Sequence, residues 1–273
     1  MMDRRLTLAN ERIADIALQG QIEAPAYGDV IAAEVALPVA DLLAEPDGAR
    51  ARQLLLGEGF EVLELHEGYA FGRASKDGYC GYLTEASVSA PTGVSHWVAA
   101  PGTHLYSEPK VQAPKTRWLS FGSRVRVLGQ TGAFAQTPHG YIPIGHLQML
   151  GSWYDEPVEV MGLFLGVPYL WGGNSFVGID CSGLVQAAMM ACGKPCPGDS
   201  DLQQSLGAEL APEEALQRGD LVFWKRHVGM MIDANSMIHA NGHFMATVIE
   251  PVAEAIARIS EARGGDVLAK RRL

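Results

Sequence analysis

Two stretches of this chain repeat one another, and the repeat restricts the fold more than any other feature. LLAEPDGARARQLLLGEGFEVLELHEGYAFGRASKDGYCGYL runs from Leu42 to Leu83, and HLYSEPKVQAPKTRWLSFGSRVRVLGQTGAFAQTPHGYIPI from His104 to Ile144. Glu45-Pro46 aligns with Glu108-Pro109, Gly57 with Gly122, Val62-Leu63 with Val127-Leu128, and Gly78-Tyr79 with Gly140-Tyr141. Each copy has short alternating apolar runs, FEVLEL and RVRVLG, broken by glycine-rich turns. That pattern predicts two small, strongly bent β-barrels in succession.

Composition sets the outer limits. The 273 residues are 48% hydrophobic and 19% charged, which is too apolar for a disordered chain. With 21 Lys+Arg against 31 Asp+Glu, the net charge of −10 argues against phosphate-backbone partners and anionic lipid. No nucleic-acid or membrane partner is expected. Near the N-terminus, Glu11, Arg12 and Asp15 interrupt what would be the apolar core of a signal peptide. Four cysteines, Cys80, Cys181, Cys192 and Cys196, are too few for a disulfide scaffold. A cytoplasmic chain with reduced thiols is the expectation.

Residues 7–20 read as a short helix, with Leu8, Ile13, Ile16 and Ala17 as its stripe and Gly20 as its stop. The expected organisation is a helix and linker over 1–33, barrels over 34–92 and 93–150, and a third domain over 151–273. In that last part YDEPVEVMGLFLG, residues 154–166, reads as a helix with Val158, Met161, Leu163 and Leu165 partly inward. CSGLVQAAMMACG reads as a second helix closed by Gly193. DLVFW, HVGMMI, SMIHAN and MATVIEPV read as strands, EAIARISEAR as a late helix, and VLAKRRL as a strand or tail. The architecture expected for this part is α+β.

Cys181 carries the sharpest chemical signal. It opens a predicted helix after a glycine-containing loop, where free N–H groups and the helix dipole favour a thiolate. Asp180 and Ser182 beside it can cap the helix. A cysteine nucleophile needs a base and a group that orients the base. His227 and His239 lie on consecutive predicted strands. A two-residue turn at Ala234-Asn235 would put their rings on opposite faces, whereas an odd-length or bulged loop puts them on one face. We expect the odd-length or bulged loop, with His239 opposite Gly229 and about 7–8 Å diagonal from His227.

PYLWGGNSFVGIDCSGLVQAAM, then RGDLVFW, HVGMMI and MIHAN, resemble in order and spacing the NlpC-type cell-wall cysteine peptidases, which have a papain-like fold. The repeats resemble bacterial SH3-like domains. The resemblance implies Cys181 as nucleophile, His227 as general base, and His239 as the polar residue holding the His227 ring. It implies Tyr169 beside the nucleophile for substrate and oxyanion contacts, and Asp180 and Ser182 at the amine end of the substrate.

Two SH3-like domains before such a domain resemble the γ-D-glutamyl-L-diamino-acid endopeptidases. These cut murein peptides with a free N-terminal L-Ala, a recycling reaction that takes neither cofactor nor metal. In that group the first SH3-like domain supplies an acidic and an aromatic residue to the amine pocket. The matching positions here are Glu58 and Tyr82, with Tyr79 as the alternative to Tyr82. Ser200 falls in a substrate-contact segment, where Gly198 replaces the arginine of many members. The competing readings are an exported endopeptidase acting on intact wall, a non-catalytic wall-binding protein, and an acyltransferase on the same fold.

Overall fold

The computed structural model describes residues 2–262 and 264–273; it divides into two compact units, one ending at Leu150 and the other spanning Gly151–Leu273. Arg263, the last residue of the expected late helix, lies outside the described residues.

The helix expected over 7–20 does not form. Its place is taken by β1 (Ala14–Asp15), paired in parallel with β2 (Tyr27–Gly28), and a single 3-10 turn at Ile16–Leu18. Short polar side chains explain the difference, because they offer the backbone local partners that a helix cannot use. Asn10 Oδ1 accepts from the N–H groups of Arg12 and Ile13, and Asp15 Oδ1 accepts from Ala17. Leu8 is buried with Leu63, Phe71 and Cys80.

The first β-body comprises β3 (Ile31–Val35), β4 (Val39–Leu43), β5 (Arg50–Leu55), β6 (Gly59–His66), β7 (Tyr69–Ala74), β8 (Cys80–Thr84) and β9 (Val88–Ser89). The second comprises β10 (His96–Val98), β11 (Gly102–Tyr106), β12 (Lys115–Ser120), β13 (Arg124–Val125), β14 (Gly129–Thr131), β15 (Phe134–Thr137), β16 (Gly140–Pro143) and β17 (Leu147–Met149). In the first, the strands pair in the order β5-β4-β8-β7-β6-β3-β9. Every one of those pairings recurs in the second, where β13 and β14 share the part played by β6. The cores also correspond: Val35, Leu42, Leu54, Phe60 and Leu83 in one, Val98, Leu105, Leu119, Val125 and Ile142 in the other.

The repeat alignment needs one correction. Gly140-Tyr141 is the counterpart of Gly81-Tyr82, not of Gly78-Tyr79. Tyr82 pairs with Leu43 as Tyr141 pairs with Tyr106. A Cβ on Gly81 would lie 2.7 Å from the Leu43 carbonyl oxygen, and one on Gly140 2.5 Å from that of Tyr106. The glycine is fixed by this strand crossing. The longer β7–β8 turn of the first copy carries an extra Gly-Tyr that misleads the alignment.

In the second unit α1 (Pro157–Leu163) is shorter than the helix expected over 154–166. Proline at its first turn starts it, and Gly166, with φ +80, lies beyond its end. Val158 and Met161 are buried as expected. Leu163 and Leu165 are exposed, and Phe164 takes the inward place. A small hairpin, β18 (Asn174–Ser175) with β19 (Gly178–Ile179), leads into α2 (Cys181–Ala191). After the short α3 (Ser200–Gln203) come β20 (Ala208–Glu209), β21 (Leu221–Trp224), β22 (His227–Met231), β23 (Ser236–Asn241), β24 (Ala246–Pro251), α4 (Val252–Glu261) and β25 (Ala269–Arg272). These strands form one antiparallel sheet in the order β20-β25-β21-β22-β23-β24. The closing VLAKRRL is therefore a strand, inserted between β20 and β21. Val222, Trp224, Met231 and Met237 of the sheet pack with Val252 and Ala255 of α4.

Candidate active site

Cys181 is the first residue of α2. The Asp180 carboxylate caps the helix, accepting from the Gly183 N–H at 2.7 Å and the Ser182 hydroxyl at 3.0 Å. Its second oxygen accepts from the Gly172 N–H at 2.9 Å, so one side chain ties the WGG loop to the nucleophile helix. Gly183 is needed for this approach: a Cβ there would stand 2.5 Å from the Gly173 carbonyl oxygen. Cys181 Sγ lies 3.9 Å from the Arg226 carbonyl oxygen and accepts from the Val228 N–H. It is thus bracketed by the residues on either side of His227. The backbone N–H groups of Cys181 and Ser182 act on the thiol in the direction of the thiolate.

The β22–β23 loop has the odd length that the expected geometry requires. Ile232 N–H donates to Ser236 O, and the turn holds Asp233, Ala234 and Asn235. Asp233 Oδ1 accepts from Asn235 and Ser236, which stabilises it. Met231 then pairs with Met237, a register that sets Gly229 opposite His239 and both rings on one face. His227 Nε2 is 2.8 Å from His239 Nδ1. A Cβ on Gly229 would lie 3.2 Å from His239 Cβ and 1.9 Å from the Met237 methyl, so glycine makes room for the ring.

Two residues that the sequence reading missed complete this row. His239 Nε2 is 2.6 Å from Glu250 Oε1 and 2.9 Å from Asn241 Nδ2. Glu250 forms an ion pair with Arg258 of α4. Burial alone would raise the Glu250 carboxyl, but His239 and Arg258 outweigh it and hold it below the usual range. In β24 the apolar Ile249 is exposed and the acidic Glu250 buried, the reverse of what residue type suggests.

The electrostatics differ from the expected resting thiolate. Burial, reinforced by the Asp180 charge, pushes the Cys181 thiol up to about 12, outweighing the backbone N–H groups. Burial also lowers His227 to about 3. Both shifts run toward the uncharged forms, thiol and neutral imidazole. Burial, with Cys181 and Asp180 nearby, also raises the Tyr169 phenol, which stays a hydrogen-bond donor at neutral pH. Ser200 opens α3 and is buried; Gln203 Nε2 donates to the Ser182 carbonyl at 2.9 Å and fastens α3 to α2.

Glu58 and Tyr82 belong to the first unit. Glu58 does not offer a free carboxylate. Both its oxygens bind Lys76 Nζ, at 2.7 and 2.9 Å, and one also accepts from the Leu55 N–H. The pair is buried, so the expected ammonium contact at Glu58 is already filled by lysine. Tyr82 stacks on Phe71 with ring centroids 4.8 Å apart, and lines a cavity of about 480 Å³ with Glu45, Arg12 and Asn10. Tyr79 also lines it but is buried in the barrel core. Among the described residues, no group of three or more His, Cys, Asp or Glu side chains is arranged to hold a metal ion.

The class of the second unit follows from this sheet, its nucleophile helix and its histidine pair. Residues 166–267 match the NlpC/P60 family model, and residues 42–88 match the bacterial dipeptidyl-peptidase Sh3 domain. The chain carries an NlpC/P60 domain of papain-like fold, preceded by a bacterial SH3 domain.

Its relatives are more specific. A gamma-D-glutamyl-L-lysine dipeptidyl-peptidase of Bacillus cereus is 36% identical over 94 residues, 32% of this chain and 28% of that one. This chain thus spans under a third of that curated relative. Dipeptidyl-peptidase 6 of Lysinibacillus sphaericus is 25% identical over 231 residues, 74% of this chain and 85% of that one. The crystal structure of an NlpC/P60 family protein from Bacillus cereus covers 89% of this chain and 99% of its own, with TM-score 0.75 and 20% identity, a likeness of fold.

Proposed function

We propose that this protein is a cysteine peptidase that hydrolyses the γ-D-glutamyl–diamino acid bond of murein peptides bearing a free N-terminal L-Ala. The observation that carries the reading is Cys181, set at a helix N-terminus against the backbone on both sides of His227, with His239 bonded to that ring. The dipeptidyl-peptidases to which the chain is similar support the bond assignment.

In this reading His227 takes the Cys181 proton as sulfur attacks the γ-carbonyl, because the pair starts neutral. The Cys181 and Ser182 N–H groups, with the Tyr169 hydroxyl, receive the oxyanion. His227 then protonates the departing amine, and water guided by the same ring hydrolyses the thioester. Asp180 and Ser182 hold the nucleophile loop; their contact with the substrate, and that of Ser200, belong to this proposal. Tyr82, which lines a cavity of the first unit, is kept in this proposal as a substrate-contact residue, and the second β-body is read as a second SH3-like barrel. The substrate is a soluble peptide and the setting is cytoplasmic recycling. Four free cysteines accord with a reducing compartment, and no described helix is long and apolar enough to cross a membrane.

The test is cleavage of L-Ala-γ-D-Glu-meso-diaminopimelate and of its N-acetylated form, followed by mass spectrometry, with the Cys181→Ala variant alongside. Only the free-amine peptide should be cut, and the variant should lose at least about 1,000-fold in rate. Equal cutting of both peptides would discard the amine pocket. Full activity in Cys181→Ala would discard the mechanism.

A further inference from the structure

The row of side chains behind the nucleophile does not end at His239. His227 Nε2 meets His239 Nδ1 at 2.8 Å, and His239 Nε2 meets Glu250 Oε1 at 2.6 Å. Arg258, from α4, is paired with the same carboxylate. His239 has no solvent exposure. Register explains the row: His239 pairs with Val248 and Met237 with Glu250, so Glu250 sits diagonally beside His239 on the same face.

A second group competes for His239 Nε2. Asn241 Oδ1 accepts from the backbone N–H groups of His243 and Phe244, at 3.1 and 2.9 Å. That fixes the amide, so its Nδ2 is a donor directed at His239 Nε2, 2.9 Å away. One ring nitrogen cannot donate to Glu250 and accept from Asn241 at once. The hydrogen bond to an ionised acceptor is roughly twice as strong as a neutral one, so the carboxylate decides the outcome. Nε2 carries the proton. In a neutral ring that leaves Nδ1 without a proton.

We propose that Glu250, clamped by Arg258, is a positioning residue that sets the tautomers of both histidines and leaves His227 Nδ1 proton-free, the nitrogen that the peptidase reading assigns as base to Cys181. With Nε2 protonated, His239 Nδ1 is an acceptor. His227 Nε2 must then be the donor, and its proton-free nitrogen is Nδ1. Were Glu250 neutral, Asn241 would win Nε2, His239 Nδ1 would carry the proton, and His227 Nδ1 would be protonated and unable to take the thiol proton. The role of the row in turnover rests on the peptidase reading; the tautomers do not.

The test uses Glu250→Gln alone and with Asn241→Asp. Asn241→Asp keeps the oxygen that holds the 241–244 turn and replaces the competing donor by an acceptor. Glu250→Gln should lower kcat by about 100-fold or more with KM little changed, as a wrong tautomer does in a related triad. The double variant should recover roughly tenfold or more of that loss. Nitrogen-15 NMR of the imidazoles should show protonated Nε2 on both rings of the unmutated protein, and protonated Nδ1 on both in Glu250→Gln. The proposal is overturned by an Nδ1–H signature on His239 in the unmutated protein, by unchanged kcat in Glu250→Gln, or by a folded double variant without recovery. If Glu250→Gln fails to fold, the spectrum of the unmutated protein decides. If the unmutated protein cuts no murein peptide, the function falls while the same spectrum still decides the tautomers.

Discussion

Each unit of this molecule buries charge, and the two do so to different ends. In the first, Lys76 meets Glu58 with side chains only 6% and 8% exposed, and Arg52 meets Asp77 with 3% and 2%. These pairs are closed: each charge faces its opposite. In the second, the pair of Arg258 and Glu250 continues through His239 to His227, whose neighbour Arg226 has its carbonyl oxygen 3.9 Å from the Cys181 sulfur. The physics of satisfying a buried charge is the same. What makes the second a reactive site is an imidazole at its end with one nitrogen left over.

The comparison is broken most directly by opening a closed pair. Lys76→Met leaves Glu58 buried with only the Leu55 N–H as partner. Removing one member of such a pair costs about 3–5 kcal/mol. Adding Glu58→Gln removes the stranded charge while keeping an acceptor for Leu55, and should restore most of the loss. Denaturant unfolding of the two variants checks this. Equal stability of Lys76→Met and the unmutated protein would show that the pair is not closed in solution.

A smaller effect is expected where space rather than charge sets the row. Gly229→Ala places a methyl group against Met237 and 3.2 Å from His239 Cβ. The Met237 methyl can swing away, but the His239 backbone has to shift. Displacement of a catalytic group by even part of an ångström is expensive, so kcat/KM should fall about tenfold or more with the fold intact. Steady-state kinetics beside circular dichroism would show it. Unchanged kinetics would mean that His239 does not need its present seat.

The parts legible in the sequence were those written in local pattern. The repeated alternation announced two like β-bodies, and strand alternation tied the faces of His227 and His239 to the parity of one loop, which the three-residue turn at 233–235 decides. Local competition hid others: Asn10 and Asp15 turned an apolar stripe away from helix by bonding nearby backbone. The burial of Glu58 was also hidden, since its partner Lys76 comes from another strand's turn. Glu250 was missed for a related reason. An acidic residue near the end of a strand reads as solvated, and only the register with β23 shows that it faces His239.

The last contrast concerns protons. Burial lowers His227 to about 3, while the unfolded ring titrates near 6.5. Between those values the unfolded chain binds a proton that the folded chain refuses. Stability from this group is therefore present above about pH 6.5 and is lost as pH falls toward 3, by about 1.4 kcal/mol per pH unit. Carboxylates titrate over part of the same range, so the slope of the unmutated protein alone does not isolate the ring. His227→Gln removes the ring's titration and leaves those carboxylates in place. Between pH 6.5 and 5 the unmutated protein should lose stability more steeply than His227→Gln, by close to one proton. Parallel slopes would mean that the folded ring already carries a proton in this range. The row would then end in an imidazolium facing a thiolate, and attack would start from an ion pair already formed.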